Sequence, residues 1–352
     1  MDCRSLVRAY VLNKDLEDDV NDDMLKIIKS QTLLPLLFIT TSNIKYKNYY
    51  ISACITNERF NNVINNIKNV FNEYNIPYFF MKGTELKGMY PNPEVRTMGD
   101  IDVFIKYSDL SRASKALENN GFKSEADDSE HNVVFYYDNI EIELHFAMLD
   151  DADDKIGFFK NPFDKAILVD KSYYKLDNTF HLAFLITHFA RHLLFGAGIR
   201  YMMDFYYMMK NNDIDYTRLH SYMKTLKLEV LYNNILNVLD YLFDTKFDEY
   251  IKVDIMYFID YMEKYGIHGY HNNDLNITQV KKHRFSHFMS KVFLLNKGYR
   301  LSKFPKVGNI IILWPILVVI NIIRLVFTKF HKFLILIFKR SNRKKLYKKL
   351  GI

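Results

Sequence analysis

A short alternating run, Asp100-Ile101-Asp102-Val103-Phe104-Ile105, limits what this chain can become more than any other feature. Side chains alternate between the faces of a strand, so both carboxylates share one face and Ile101, Val103 and Ile105 share the other. Asp is disfavoured in strands, and two like charges at that spacing repel. The pair therefore asks for a cation. Carboxylate oxygens at fixed spacing suit Mg²⁺, which takes hard oxygen ligands and shares them with substrate phosphates. A polar strand end closing the Met98-Gly99 turn accounts for the same residues, so the pair alone does not decide between the two readings.

A second acidic strand strengthens the metal reading. In Ile140–Phe146, Glu141, Glu143 and His145 take one face, and Ile140, Ile142, Leu144 and Phe146 take the other. This is the pattern of a half-buried strand with three ionisable groups in a row. Asn132–Tyr137 reads as the strand before it, with Asp138-Asn139 as the hairpin turn. The polar face can then meet the strand of Asp100 and Asp102. A third element is the apolar run Ile76–Met81, followed by Lys82-Gly83-Thr84 and then one or two helical turns to Tyr90. A strand, a glycine turn and a helix start present backbone N–H groups to an anion. Gly83 permits close approach of a phosphate, Thr84 offers a hydroxyl, and Lys82 or Lys87 could add charge.

Taken together, the stretches KGTELKGMYPNPEVRTMGDIDVFI, Gly121-Phe122 and IEIELHF resemble the bacterial family of uncharacterised nucleotidyltransferases, within the polymerase-β-type nucleotidyltransferase superfamily. The resemblance is strong from Pro77 to His145. It is weaker at His188, His192, Arg200 and Asp204. It implies an α+β fold: a small mixed β-sheet nucleotidyltransferase core, flanked by N-terminal helices and a larger C-terminal α-helical region. It implies Asp100, Asp102 and Glu143 as catalytic carboxylates and ligands of Mg²⁺ (or Mn²⁺). Gly83 and Thr84 would hold the triphosphate of a nucleoside triphosphate, with Lys82, Arg96 and Arg200 also assigned to the nucleotide. His145, His188, His192 and Asp204 are further candidates. The family more often carries Gly-Ser, and Thr84 keeps that hydroxyl. Whether Glu141 or Glu143 is the ligand depends on register; Glu143 lies two before the histidine, as the family pattern has it. The family tends to occur near surface-polysaccharide genes, which suggests such metabolism for the unknown acceptor.

The remaining sequence sets the surroundings. A length of 352 residues fits two domains or one large one. We expect an N-terminal helical region over 1–75, packed against the sheet. The catalytic core then spans 76–155, an α-helical domain 156–305, and an apolar and basic segment 306–352. Within the core, Ser108–Asn120 reads as a helix stopped at Asn120-Gly121. Two cysteines, Cys3 and Cys54, argue against a disulfide framework or a cysteine zinc site. With no apolar leader in Met1–Asp23, a cytoplasmic location is expected.

His181, Leu185, His188 and His192 share one helical face, a pattern too sparse for zinc and closer to polar packing or a lid over the nucleotide. Arg191 and Arg200 are better placed for phosphate, although Arg200 and Asp204 also have the spacing of a helical ion pair. Net charge is +7, and Lys339–Lys349 holds seven basic residues and no acid. With the apolar run from Ile310 to Phe338, this favours peripheral attachment of 310–349 to an anionic inner membrane face over core burial or a true span. Nucleic acid is a weaker partner, because no aromatic-interleaved basic stripe is present. Two rival readings remain: a non-catalytic nucleotide or sugar-phosphate binding module of a membrane-associated assembly, and a toxin-like RNA-modifying nucleotidyltransferase.

Overall fold

Alternation in sequence becomes a two-faced sheet. The computed structural model describes residues 1–264 apart from 18, 126–130, 150–153, 155, 194–195 and 248–249, together with 266, 313–321 and 350–351. The strands are β1 (Tyr78–Phe80), β2 (Asp100–Ile105), β3 (Lys123–Glu125), β4 (Asn132–Tyr137), β5 (Ile140–His145), β6 (Ala166–Asp170) and β7 (Tyr173–Leu176). They form one mixed sheet in the order β3-β4-β5-β2-β1-β7-β6. Strand β2 sits at its centre, parallel to β5 and antiparallel to β1.

Helices follow in chain order: α1 (Cys3–Val11), α2 (Asp22–Ser30), α3 (Leu34–Thr41), α4 (Lys47–Glu73), α5 (Lys82–Leu86), α6 (Leu110–Asn119), α7 (Asn178–Leu193), α8 (Arg200–Asn211), α9 (Tyr216–Leu226), α10 (Glu229–Phe243) and α11 (Met256–Lys264). The apolar face of the sheet presents Ile101, Val103, Ile105, Ile142 and Leu144. They pack against Val63, Ile67, Val70 and Phe71 of α4 and against Ala113, Ala116 and Leu117 of α6. Each fully buried aliphatic side chain contributes roughly 1.5–3 kcal/mol. A slip of β2 by one residue would expose its three aliphatics and drive Asp100 and Asp102 into that core, so the register is locked.

Local signals match the elements they point to. Asp138 and Asn139 both take left-handed φ, +50° and +57°, as a two-residue hairpin turn between β4 and β5 requires. Gly121 adopts φ +86° just beyond the end of α6, where a residue with a Cβ would be strained.

Two departures from expectation matter. The sheet does not end near residue 155: the β6–β7 hairpin adds two strands, β7 joining β1 through Tyr78 and Tyr173. Ile167, Leu168 and Val169 on this edge are all exposed, so the two-face alternation that marks a half-buried strand is missing there. The N-terminal helices also divide. Helix α4 lies on the sheet, whereas α1, α2 and α3 share a core with α7, α8, α10 and α11. Gln31 pins this join, donating to the Met262 carbonyl at 2.8 Å and accepting from the Ile199 N–H at 2.9 Å. No helix among the described residues is long and apolar enough to cross a membrane. The segment 310–349 lies outside the described residues except for 313–321.

Candidate active site

Parallel pairing of β2 with β5 sets Asp102 opposite Glu143, Asp100 opposite Glu141, and Phe104 opposite His145. Asp102 is buried, Glu143 half-buried, and His145 buried beside them. The His145 Nε2 lies 2.9 Å from Asp102 Oδ1 and 3.0 Å from Glu143 Oε2. The Lys82 ammonium donates to the same Asp102 oxygen at 2.5 Å and stands 3.8 Å from Glu143 Oε2. Lys82 reaches them from the first residue of α5, where its φ is +48°. Carboxylate oxygens of Asp102 and Glu143 and a ring nitrogen of His145 all fall within 4.8 Å of one another, close enough for one metal ion.

The charges follow from this geometry. Burial alone would raise the Asp102 carboxyl, but Lys82 and His145 outweigh it and hold Asp102 well below the usual carboxylate range. Glu143 is likewise lowered: burial opposes ionisation, but the hydrogen bond from His145 and the charge of Lys82 prevail. For Lys82 and His145, burial disfavours the cation and the facing carboxylates more than compensate, so both are raised. At Asp100 the charge of Lys82 is outweighed. Burial, and then the charges of Asp102, Glu143 and Glu141, push it up to about 6.

These groups open onto a cavity of about 560 Å³. Lys82, Gly83, Asp100, Asp102, Glu143 and His145 line its sheet side. Arg96, whose side chain lies beside Gly83, lines it too, and α7 and α8 contribute His188, Arg191, His192, Arg200 and Asp204. Residues far apart in sequence thus line one space. Gly83 is closely packed there: a Cβ would meet the Met98 side chain at 3.1 Å, which that side chain would have to yield to. Thr84 is not part of the cavity wall. Its hydroxyl is buried without a hydrogen-bond partner among the described residues. Helical residues two apart point about 200° away from each other, so a chain that aims Lys82 at the carboxylates aims Thr84 behind them. Lys87 also leaves the phosphate reading, because its ammonium bonds the side-chain oxygens of Asn57 and Asn61.

The helical pair expected between Arg200 and Asp204 gives way to a longer-range one. Arg96 grips Asp204 with two hydrogen bonds, Nε to Oδ1 at 2.6 Å and Nη2 to Oδ2 at 3.0 Å. The Tyr90 hydroxyl donates to the same carboxylate at 2.7 Å. Arg200 instead donates to the Thr97 carbonyl at 2.9 Å, and its buried Nε has no partner among the described residues. Burial and the neighbouring Arg96 lower the Arg200 guanidinium to about 10, leaving it a cation at neutral pH. His188 and His192 approach at 2.8 Å between their Nε2 atoms. His181, on the same helix, is buried away from the cavity, and burial presses it down to about 4. Sequence reasoning missed Tyr90 as a partner of Asp204 and His131 as part of the wall. No spacing signals a contact across 114 residues.

A mixed sheet that brings carboxylates from two parallel strands into a cavity lined by helical arginines and histidines is consistent with a nucleotidyltransferase core. The family described as uncharacterised nucleotidyltransferase matches residues 22–244, and the chain belongs to it. The match takes in the whole sheet together with α7 and α8. The protein is therefore a nucleotidyltransferase, an enzyme whose substrate is a nucleoside triphosphate. No curated protein and no solved structure matches the chain.

Proposed function

We propose that the protein transfers a nucleoside monophosphate from a nucleoside triphosphate to a hydroxyl or phosphate of its acceptor, with Mg²⁺ or Mn²⁺ held by Asp100, Asp102 and Glu143. The observation that carries this reading is the pairing of Asp102 with Glu143 across parallel strands, in a cavity that the buried Arg200 also lines. The donor set fits a hard divalent ion, because the facing ligands are carboxylate oxygens from a rigid sheet. Such an ion, when bound, neutralises charge on the triphosphate and on the atoms that react.

The chain's own groups do the rest. Arg200 lines the cavity, where a guanidinium is a strong donor to phosphate oxygens. Gly83 lets the backbone beside Lys82 approach the triphosphate. Arg96 spends three of its five N–H groups on Asp204 and Thr97, which fixes the position of Thr97 and hence of Arg200, and it keeps two for a phosphate in the cavity it lines. His145 bridges the two carboxylates and holds their side chains in one orientation. The acceptor belongs, on this reading, to surface-polysaccharide metabolism, and the basic 310–349 segment brings the enzyme to an anionic membrane surface.

Incubation with each labelled nucleoside triphosphate, Mg²⁺ and fractionated cell extract tests this. Pyrophosphate release, with label appearing on a discrete acceptor, is the expected result. Absence of pyrophosphate with every triphosphate and with either metal would contradict it.

A further inference from the structure

The carboxylate oxygens best placed for a metal are already in use. Asp102 Oδ1 accepts from Lys82 at 2.5 Å and from His145 at 2.9 Å, and Glu143 Oε2 stands 3.0 Å from His145 and 3.8 Å from Lys82. A Mg²⁺ ion sits about 2.0–2.1 Å from its oxygen ligands and demands near-octahedral room around them. An ammonium pressed on the same oxygen and a divalent ion cannot both occupy that space. The Lys82 side chain is only 18% exposed and borders the cavity, so the place its displaced charge moves to is that cavity. A cation released inside a cavity needs another anion. Lys82 and Gly83 both line the cavity in which the triphosphate is placed above, so that anion is at hand.

From this geometry we propose that Lys82 is a built-in counter-ion that gates metal entry. Without nucleotide it neutralises Asp102 and Glu143 and excludes a divalent ion. When a polyphosphate enters, the ammonium transfers to it and leaves the carboxylates with His145, whose ring nitrogen lies close enough to share the ion with them, so metal and nucleotide bind together and each strengthens the other. The inference rests on the metal-dependent reading above. It gives Lys82 a positioning role that a static phosphate contact does not have.

The test compares the full-length wild-type protein with Lys82→Met and with Lys82→Gln, which keeps a hydrogen-bond donor but no charge. Circular dichroism confirms that each variant is folded. Manganese and nucleotide are then measured in the protein fraction after gel filtration in buffer containing Mn²⁺ alone, a non-hydrolysable triphosphate analogue alone, or both. Wild type is expected to retain manganese only when the analogue is present. The variants are expected to retain it without the analogue, with an affinity for Mn²⁺ alone raised roughly tenfold or more, since a facing unit charge has been removed from a low-dielectric site. Equal binding of Mn²⁺ alone by wild type and variants would overturn the gate and leave the metal centre standing. Variants that still need the analogue would overturn it too. Absence of manganese from every protein under every condition would overturn both the gate and the metal-dependent reading. The wild-type arms decide the matter alone should neither variant fold: tight Mn²⁺ binding without nucleotide contradicts the proposal.

Discussion

Replacing Asp102 with Asn is expected to lower nucleotide transfer by about 10²–10³-fold, the scale seen when one group that stabilises developing charge is removed. The reason is local. Asp102 is the buried centre of the cluster, paired in register with Glu143 and bonded by both Lys82 and His145. Asn keeps the shape but loses the charge that a divalent ion needs. The fold should survive, because β2 is held by Ile101, Val103 and Ile105 on the opposite face. Lys82 also retains Glu143 at 3.8 Å as a partner. The measurement is pyrophosphate release with Mg²⁺, beside a thermal melt of each protein. A variant as active as wild type would remove Asp102 from the mechanism. A variant that fails to fold would show that the carboxylate is chiefly structural.

The second large effect concerns stability. Asp204→Ala should cost about 3–5 kcal/mol, the range found when one partner of a buried ion pair is deleted. Asp204 accepts from both Arg96 nitrogens and from Tyr90 within the protein interior. Removing it leaves the Arg96 guanidinium buried beside Arg200, two cations with no carboxylate between them. The same change cuts the link between α8 and the loop that carries Thr97 and leads into β2. Chemical denaturation followed by circular dichroism gives the cost. Pairing Asp204→Leu with Arg96→Met should recover much of it, because apolar groups of similar volume need no counter-charge. A loss near zero for Asp204→Ala would mean that water reaches the guanidinium and that the pair does not organise the cavity wall.

What the sequence revealed was decided by local physics. The alternation in Asp100–Ile105 and Ile140–His145 reports burial of one face, and both segments are strands with that face in the core. The Asp138-Asn139 turn was legible because few residues tolerate its backbone. Contacts that depend on the path of the chain were not legible. Nothing near Lys82 marks Asp102 as its partner, and the pairing of Asp204 with Arg96, 108 residues away, in place of its helical neighbour Arg200 is made by packing. The β6–β7 hairpin escaped notice because its exposed edge lacks an alternating pattern. The docking of α1 to α3 on the later helices escaped because apolar helical spacing announces a buried face without naming what covers it.

Anomalous diffraction from crystals grown with Mn²⁺ and a non-hydrolysable nucleoside triphosphate puts the account to its most direct trial. Manganese density between the carboxylates of Asp102 and Glu143, with the Lys82 ammonium moved onto a phosphate oxygen, is the predicted result. Manganese elsewhere in the molecule, or a nucleotide bound while Lys82 still holds Asp102, would contradict it.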